Sequence, residues 1–196
     1  MVRLKFFITL AYQVLDRTSD FVFNIQPACT ERQQVLEETL TISQQLTPHI
    51  LMHPEEGSRF LRLQANNGPL QVDYQGCVEI DHYRHDPSTL YEMPVHEIPL
   101  DVLMYVYPSR YCPSDKLSAL ANYEFGAMQP GYYRVLAIQQ WVKQRTKYLI
   151  GSSESTTSAL ETLIDHAGVC RDFAHLMIAL CRALNMPARF VSGINY

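Results

Sequence analysis

The chain has 196 residues, of which 47% are hydrophobic and 18% are charged, a balance that is typical of a folded, core-forming protein and excludes a disordered one. Its formal net charge is -4 and its pI is near 5.9, and the basic residues are scattered along the sequence. Such a chain presents no positive field to nucleic acid, so we expect no nucleic-acid partner.

The first twelve residues, MVRLKFFITLAY, begin with basic residues and continue with an apolar run, as a signal peptide does. No small-residue cleavage site follows them. Leu4, Phe6, Ile8 and Leu10 instead alternate with other positions at the period of a half-buried strand. No run in the sequence approaches the roughly 20 apolar residues of a membrane span. We therefore predict a strand here and no membrane association.

Residues 1 to about 86 show the alternation of β-strands and no helical stripe. Asn66, Asn67 and Gly68 separate two alternating runs, and these residue types accept the positive φ that a tight hairpin turn needs. The sequence predicts a hairpin at this point, within a small antiparallel β-sandwich-like domain.

Prolines mark the boundary of this domain. Five of the eleven prolines lie between Pro87 and Pro113, where they remove ladder donors and interrupt long helices. We place the boundary in this stretch. This gives an N-terminal β domain over residues 1–106 and a second domain over residues 107–196.

The second domain has helical patterns. A short helix is predicted over residues 116–123 and a longer one over residues 132–149. A polar loop then leads to a third helix, where Ser158 and Glu161 have the spacing of a capping box and Gly168 supplies the stop.

Cys170 is predicted to be the first residue of an apolar helix that ends before Pro187, ahead of a strand over residues 188–192. The first amides of a helix lack intrahelical partners and carry the positive end of its dipole, so they stabilise an anionic sulfur. Because the thiolate is the reactive form of cysteine, this position predicts a nucleophile. The alternative, from the residue type alone, is a buried structural thiol.

The five cysteines form an odd, widely spaced set that fits neither a disulfide framework nor a series of zinc ligands. They indicate a reducing compartment, so we predict a cytoplasmic protein. Cys170 and Cys181 cannot bridge on one helix, because eleven residues at a rise of 1.5 Å separate them by roughly 16 Å. Cys181 is predicted to pack in the core.

The segment GVCRDFAHLMIALCRALNMPARFVSG, residues 168–193, resembles the transglutaminase-like superfamily, in the bacterial branch whose members are described as cysteine proteases. The resemblance reaches more loosely back to about Tyr132, and an N-terminal β domain is usual in that branch. It implies an α+β, papain-like core in which the cysteine begins a central helix packed against an antiparallel sheet. This chain would hold the helical half of that core, ending in its first strand.

The resemblance also implies the chemistry of acyl transfer. Cys170 maps onto the nucleophile, which attacks a protein or peptide amide, forms a thioester and passes the acyl group to water or to an amine. The family's histidine and aspartate lie downstream of the strand that begins at Ala188. Since the sequence ends at Tyr196, we expect both partners to be absent from this chain.

Three other residues could support the site. His166 lies across a glycine turn from Cys170 and could approach its sulfur, although a surface histidine at a helix end is the alternative. Asp172 lies in the first turn of the helix, where a carboxylate complements the dipole, which favours a structural role. Trp141 could lie near the oxyanion as in some family members, but its spacing suits core packing. His175 points about 140 degrees away from Cys170 around the helix.

The sequence indicates no cofactor. His82 and His85 form a two-residue pattern without further ligands nearby, so a solvated turn is favoured over a metal site, and no glycine-rich phosphate loop occurs. Two functions stay open. One is a cysteine-dependent amide hydrolase or acyltransferase, and the other is a non-catalytic binding or scaffold module with a degenerate core. Nothing in the sequence indicates the oligomeric state.

Overall fold

The computed structural model of the chain describes residues 1–54 and 57–194. Two compact units are present, Met1–Arg84 and His85–Tyr196. The proline-rich stretch belongs to the second unit, where Arg182 donates to the carbonyl of Tyr107 and the Ala188 N–H donates to the carbonyl of Tyr105. The two units of the structure thus meet between Arg84 and His85, ahead of the predicted domain boundary between residues 106 and 107, which stays a prediction.

The first unit is an antiparallel sheet built around one long strand. Its strands are β1 Val2–Phe23, β2 Gln33–Ile42, β3 His49–Met52 and β4 Arg59–Ile80. β4 pairs with β1 along almost its whole length, while β2 and β3 pair with the last and first parts of β4. The alternation from Leu4 onward therefore predicts β1 correctly.

The predicted hairpin at Asn66, Asn67 and Gly68 is wrong, because these residues lie inside β4. They face a bulge in β1, where the pairing shifts between Val14 and Thr18. The Asn67 side-chain amide donates to the carbonyls of Val14, Leu15 and Asp16 at 3.1, 2.7 and 3.3 Å. Gly68 has a φ of 119°, so the positive φ serves a kink in a continuous strand instead of a turn.

The bulge folds the sheet over on itself. The rings of Tyr12 and Phe23 lie 5.8 Å apart, although eleven residues of straight strand would separate them by roughly 36 Å. The buried positions of β4 also change from odd to even numbers across the kink. Both halves contribute to one core, which includes Leu61, Leu63, Leu70 and Val72. This folded antiparallel sheet is the sandwich-like domain that the sequence predicts.

The second unit is a cluster of helices around one central helix. After the short α1 Leu100–Leu103, the helices α2 Ser114–Phe125, α3 Tyr132–Arg145 and α4 Ala159–Asp165 all pack against α5 Cys170–Ala183. The predicted helices are present with changed ends. α3 ends at Arg145, so residues 146–149 lie outside it.

α5 supplies the centre of the second core. Leu176, Ala179 and Leu180 on this helix have no exposed surface. Cys181 is buried beside them, and this burial raises the pKa of its thiol to about 12. Cys181 therefore packs in the core, as predicted.

The strand predicted over residues 188–192 is not formed in the described part of the chain. The backbone of Ala188 bonds to Tyr105, and the ring of Phe190 packs on His175 with the ring centroids 5.4 Å apart. These contacts do not pair the segment with a neighbouring strand, so no ladder of hydrogen bonds forms in it. The unit is otherwise the helical half of an α+β core.

Candidate active site

Cys170 is the first residue of α5, and its side chain is exposed. Val169 before it has the extended backbone of an N-cap residue, with φ -103° and ψ 179°. The thiol thus lies at the positive end of a fourteen-residue helix, in the position that the sequence predicts. Cys77, Cys112 and Cys181 are buried, and Cys29 is exposed in the first unit.

Asp172 caps the start of this helix. Its side chain has no exposed surface, and its Oδ2 accepts a hydrogen bond from the Val169 N–H at 2.8 Å. Its Oδ1 accepts from Nε and Nη2 of Arg171 at 3.2 and 3.0 Å. Burial opposes ionisation, but hydrogen bonds from the Val169 N–H, Ser153 and Arg171, together with the Arg171 charge, outweigh it and lower the pKa of Asp172. These contacts are those of a structural cap, and a catalytic role stays a prediction.

Arg171 ties the preceding loop to the helix, a role that sequence reasoning missed. Its Nη2 donates to Ser153 Oγ and to the Glu154 carbonyl, both at 2.6 Å, in addition to its bonds with Asp172. The polar loop after residue 150 is therefore fixed beside Cys170. The sequence shows an arginine next to Cys170 and a serine-rich loop before the helix, but nothing local in the sequence pairs the two.

A small parallel sheet orients the chain that enters the helix. β5 Lys147–Tyr148 pairs with β6 Ala167–Gly168, and the Leu149 N–H donates to the Gly168 carbonyl at 3.0 Å. Gly168 is also a packing requirement. A Cβ at this position would lie 2.8 Å from the Cβ of Asp172, closer than two such carbons approach.

His166 is the C-cap residue of α4, and its imidazole contacts the backbone of α3. It has a left-handed backbone with φ 52°, so the left-handed residue that ends α4 is His166, two residues ahead of the predicted stop at Gly168. Its Nδ1 lies 3.1 Å from the carbonyl oxygen of Arg145, which can accept a hydrogen bond from this nitrogen. The structure thus gives His166 a capping role, and its role as a base stays a prediction.

His175 is buried between aromatic rings on the other side of α5 from the exposed thiol. Its ring is stacked on Tyr111 with the centroids 5.3 Å apart, and Phe190 covers it. Burial, followed by the charge of Arg171, lowers the pKa of His175. The structure brings no base to Cys170 through this residue, as the helical spacing predicts.

Trp141 belongs to the helical core. Its ring meets Phe125 edge to face at 5.9 Å, and the Arg145 guanidinium lies 4.5 Å from its centroid. Its indole N–H is buried without a hydrogen-bond partner. Core packing accounts for its position, and a role near an oxyanion stays a prediction.

His82 and His85, for which a solvated turn is favoured over a metal site, lie just after β4 and at the start of the second unit. Over residues 1–54 and 57–194, no three His, Cys, Asp or Glu side chains are grouped closely enough to hold a metal ion. Over the same ranges, no helix combines the length and the apolar character needed to cross a membrane.

Comparison with known proteins gives matches to both units. Residues 2–101 match the family described as bacterial transglutaminase, N-terminal domain, and residues 118–196 match the core family of the transglutaminase-like superfamily. An uncharacterized protein of Mycobacterium leprae is 30% identical over 86 residues, which are 44% of this chain and 31% of that protein. The chain thus spans about a third of that relative.

A solved structure is similar over nearly the whole chain. It is the crystal structure of "a Putative Cysteine Protease from Cytophaga hutchinsonii", with a TM-score of 0.85 and 38% sequence identity. The similarity covers 94% of this chain and 67% of that protein. The chain therefore belongs to the transglutaminase-like superfamily and carries, ahead of its core, the N-terminal domain of the bacterial transglutaminases.

Proposed function

We propose that the chain is a cysteine-dependent acyl-transfer enzyme in which Cys170 attacks the carbonyl of a protein or peptide amide. The observation that carries the proposal is the exposed thiol at the first position of α5, in a chain of this family. The sulfur forms a bond to the carbonyl carbon, and the amine leaves with a proton to give a thioester. Water then releases the acid, so hydrolysis is the proposed outcome, in keeping with the similar protein's description as a cysteine protease.

The residues around Cys170 have supporting roles in this proposal. The unpaired amides at the start of α5 stabilise the developing thiolate. The Asp172 carboxylate would oppose that charge, but Arg171 and the Val169 N–H neutralise it. A free thiol is only a few per cent ionised at neutral pH, so turnover needs an imidazole as well. We propose that strands following α5 supply it, with His166 as the weaker candidate.

A non-catalytic binding module is the second candidate function. It is favoured by the two histidines near the thiol in sequence, since His166 bonds to the Arg145 carbonyl and His175 is buried between rings. On this hypothesis Cys170 keeps its ancestral place without enhanced reactivity. The five free cysteines support the further proposal of a reducing, cytoplasmic location under either function.

Thiol reactivity separates the two functions. The rate of iodoacetamide labelling of Cys170 is measured by peptide mapping from about pH 5 to about pH 9, with the same thiol in the urea-unfolded chain as the reference. We expect labelling below pH 7 to exceed the unfolded reference by at least about tenfold, because the helix start favours the thiolate. Equal rates at every pH would refute a poised nucleophile and favour the binding module.

A further inference from the structure

One side chain, Arg171, connects the first turn of α5 with the loop over residues 151–157, which we call the polar loop. Its Nη2 donates to Ser153 Oγ and to the Glu154 carbonyl oxygen, both at 2.6 Å. Its Nε and Nη2 donate to Asp172 Oδ1 at 3.2 and 3.0 Å. Ser153 closes the group, because its hydroxyl also bonds to Asp172. The same guanidinium therefore holds the loop and the helix together.

The group contains a buried charge next to the candidate nucleophile. The side chain of Asp172 has no exposed surface, while that of Arg171 is 33% exposed. A buried carboxylate is costly to ionise unless a cation pairs with it, and Arg171 supplies that cation. An unpaired carboxylate in the first turn would repel an anion that forms on Cys170. The state of Arg171 therefore sets the net charge that the thiol experiences.

Other charged groups on the elements around the start of α5 have weaker effects. Those that lie exposed are Lys147, Glu154, Asp165 and His166. Water and salt screen such charges. His175, one turn further along α5, is buried, and burial and the Arg171 charge lower its pKa, so it is neutral at pH 7. The balance between Arg171 and Asp172 thus acts on Cys170 most directly.

We propose that Arg171 is a positioning residue that couples the polar loop to the thiol of Cys170, because the side chain that holds the loop also neutralises Asp172 and so keeps the thiolate available. This inference rests on the proposed function, since it takes Cys170 as the attacking group. The loop needs the planar fork of an arginine, whereas the charge on Asp172 can be matched by a lysine. The two parts of the role are therefore separable by substitution.

Iodoacetamide labelling of Cys170 in the full chain, followed by peptide mapping, measures the charge part of the role. Arg171→Gln should raise the pH of half-maximal labelling by about one unit, the low end of the effect of a nearby charge, because the thiol is exposed. Arg171→Lys should restore the wild-type pH. Asp172→Asn should lower this pH, and the double variant Arg171→Gln/Asp172→Asn should return it to the wild-type value. Lys116→Gln, which removes an exposed charge in the same unit, is the control.

Cleavage after Glu154 by a glutamate-specific protease measures the loop part of the role. Arg171→Lys and Arg171→Gln should both raise the cleavage rate at least about fivefold, the factor that corresponds to one net hydrogen bond. Trp141 fluorescence shows whether the second unit of each variant is folded. If Arg171→Gln does not fold, Arg171→Lys carries the loop test and Asp172→Asn carries the charge test.

The outcomes separate this inference from the proposed function. Labelling profiles that do not move in Arg171→Gln or in Asp172→Asn overturn the coupling, and so does unchanged cleavage after Glu154 in Arg171→Lys. Either result leaves a reactive Cys170, and hence the proposed function, standing. A wild-type thiol that is no more reactive than in the unfolded chain refutes the poised nucleophile, while the expected shifts between variants would still support the coupling.

Discussion

Replacing Asp172 by asparagine removes the charge of the helix cap while keeping its shape. The carboxylate accepts one bond from the Val169 N–H and two from Arg171, and its side chain is fully buried. Asparagine offers one oxygen, so its NH₂ must face either the Val169 N–H or the guanidinium, and one donor loses its acceptor. Charge-assisted hydrogen bonds contribute about 1.5–3 kcal/mol each, so we expect Asp172→Asn to lower the free energy of unfolding by about 2–4 kcal/mol.

Urea unfolding followed by tryptophan fluorescence measures this loss in the second unit alone. Trp141 is the single tryptophan of the chain and lies in α3. At a slope of about 2 kcal/mol per molar urea, within the usual range of about 1–3, the expected loss moves the midpoint down by roughly 1–2 M. The slope itself should not change, because the variant buries the same surface.

The effect should depend on pH. The pKa of Asp172 is lowered in the folded protein, so its contribution to stability is complete above the unfolded value of about 3.8 and is lost as the pH falls through the folded pKa. The difference between wild type and Asp172→Asn should therefore be constant near neutral pH and shrink below about pH 3.8. Asp165→Asn, which changes an exposed carboxylate in the same unit, should alter stability by less than about 0.5 kcal/mol. Equal midpoints for wild type and Asp172→Asn would refute the cap.

Three further changes test other parts of the structure. Gly168→Ala should destabilise the second unit by about 1–3 kcal/mol in the same urea assay, because its Cβ would meet the Cβ of Asp172 at 2.8 Å. Glu92→Gln should cost about 3 kcal/mol there, because the Glu92 carboxylate pairs with the buried guanidinium of Arg134 and glutamine leaves that charge unpaired. Asn67→Ala should lower the stability of the sheet by about 1–2 kcal/mol by far-ultraviolet circular dichroism, with Asn66→Ala as the near-neutral neighbour. An unchanged midpoint in any of these would contradict the contact named for it.

The sequence predicts features whose causes lie within one turn of chain. The spacing of Ser158 and Glu161 predicts a capping box. The structure confirms it, because the Ser158 N–H donates to Glu161 Oε2 at 2.6 Å. The start of α5 at Cys170 is predicted for the same reason, because an apolar helical pattern follows a glycine break directly. Both features depend on residues that are neighbours in the sequence.

Features that depend on distant partners were not predictable. Asn66, Asn67 and Gly68 have the chemistry of a hairpin turn, and only the bulge in β1, some fifty residues away, makes them a kink instead. The sequence likewise predicts a helix stop at Gly168. In the structure His166 is the residue with the positive φ. A glycine is required at position 168 because a larger side chain there would collide with Asp172.

The same distinction explains why the position of the candidate nucleophile could be predicted and that of a base could not. The face of α5 that begins with Cys170 continues at the helical spacing with Phe173, Ala174 and Met177, none of which can accept a proton. A base on this helix would need a position that the helix gives to apolar side chains, so the imidazole that the proposed function needs would have to come from another segment. Which segment that is depends on tertiary packing. The position of Cys170 follows from the helix itself, whereas activation of its thiol beyond the helix dipole is a property of the whole site.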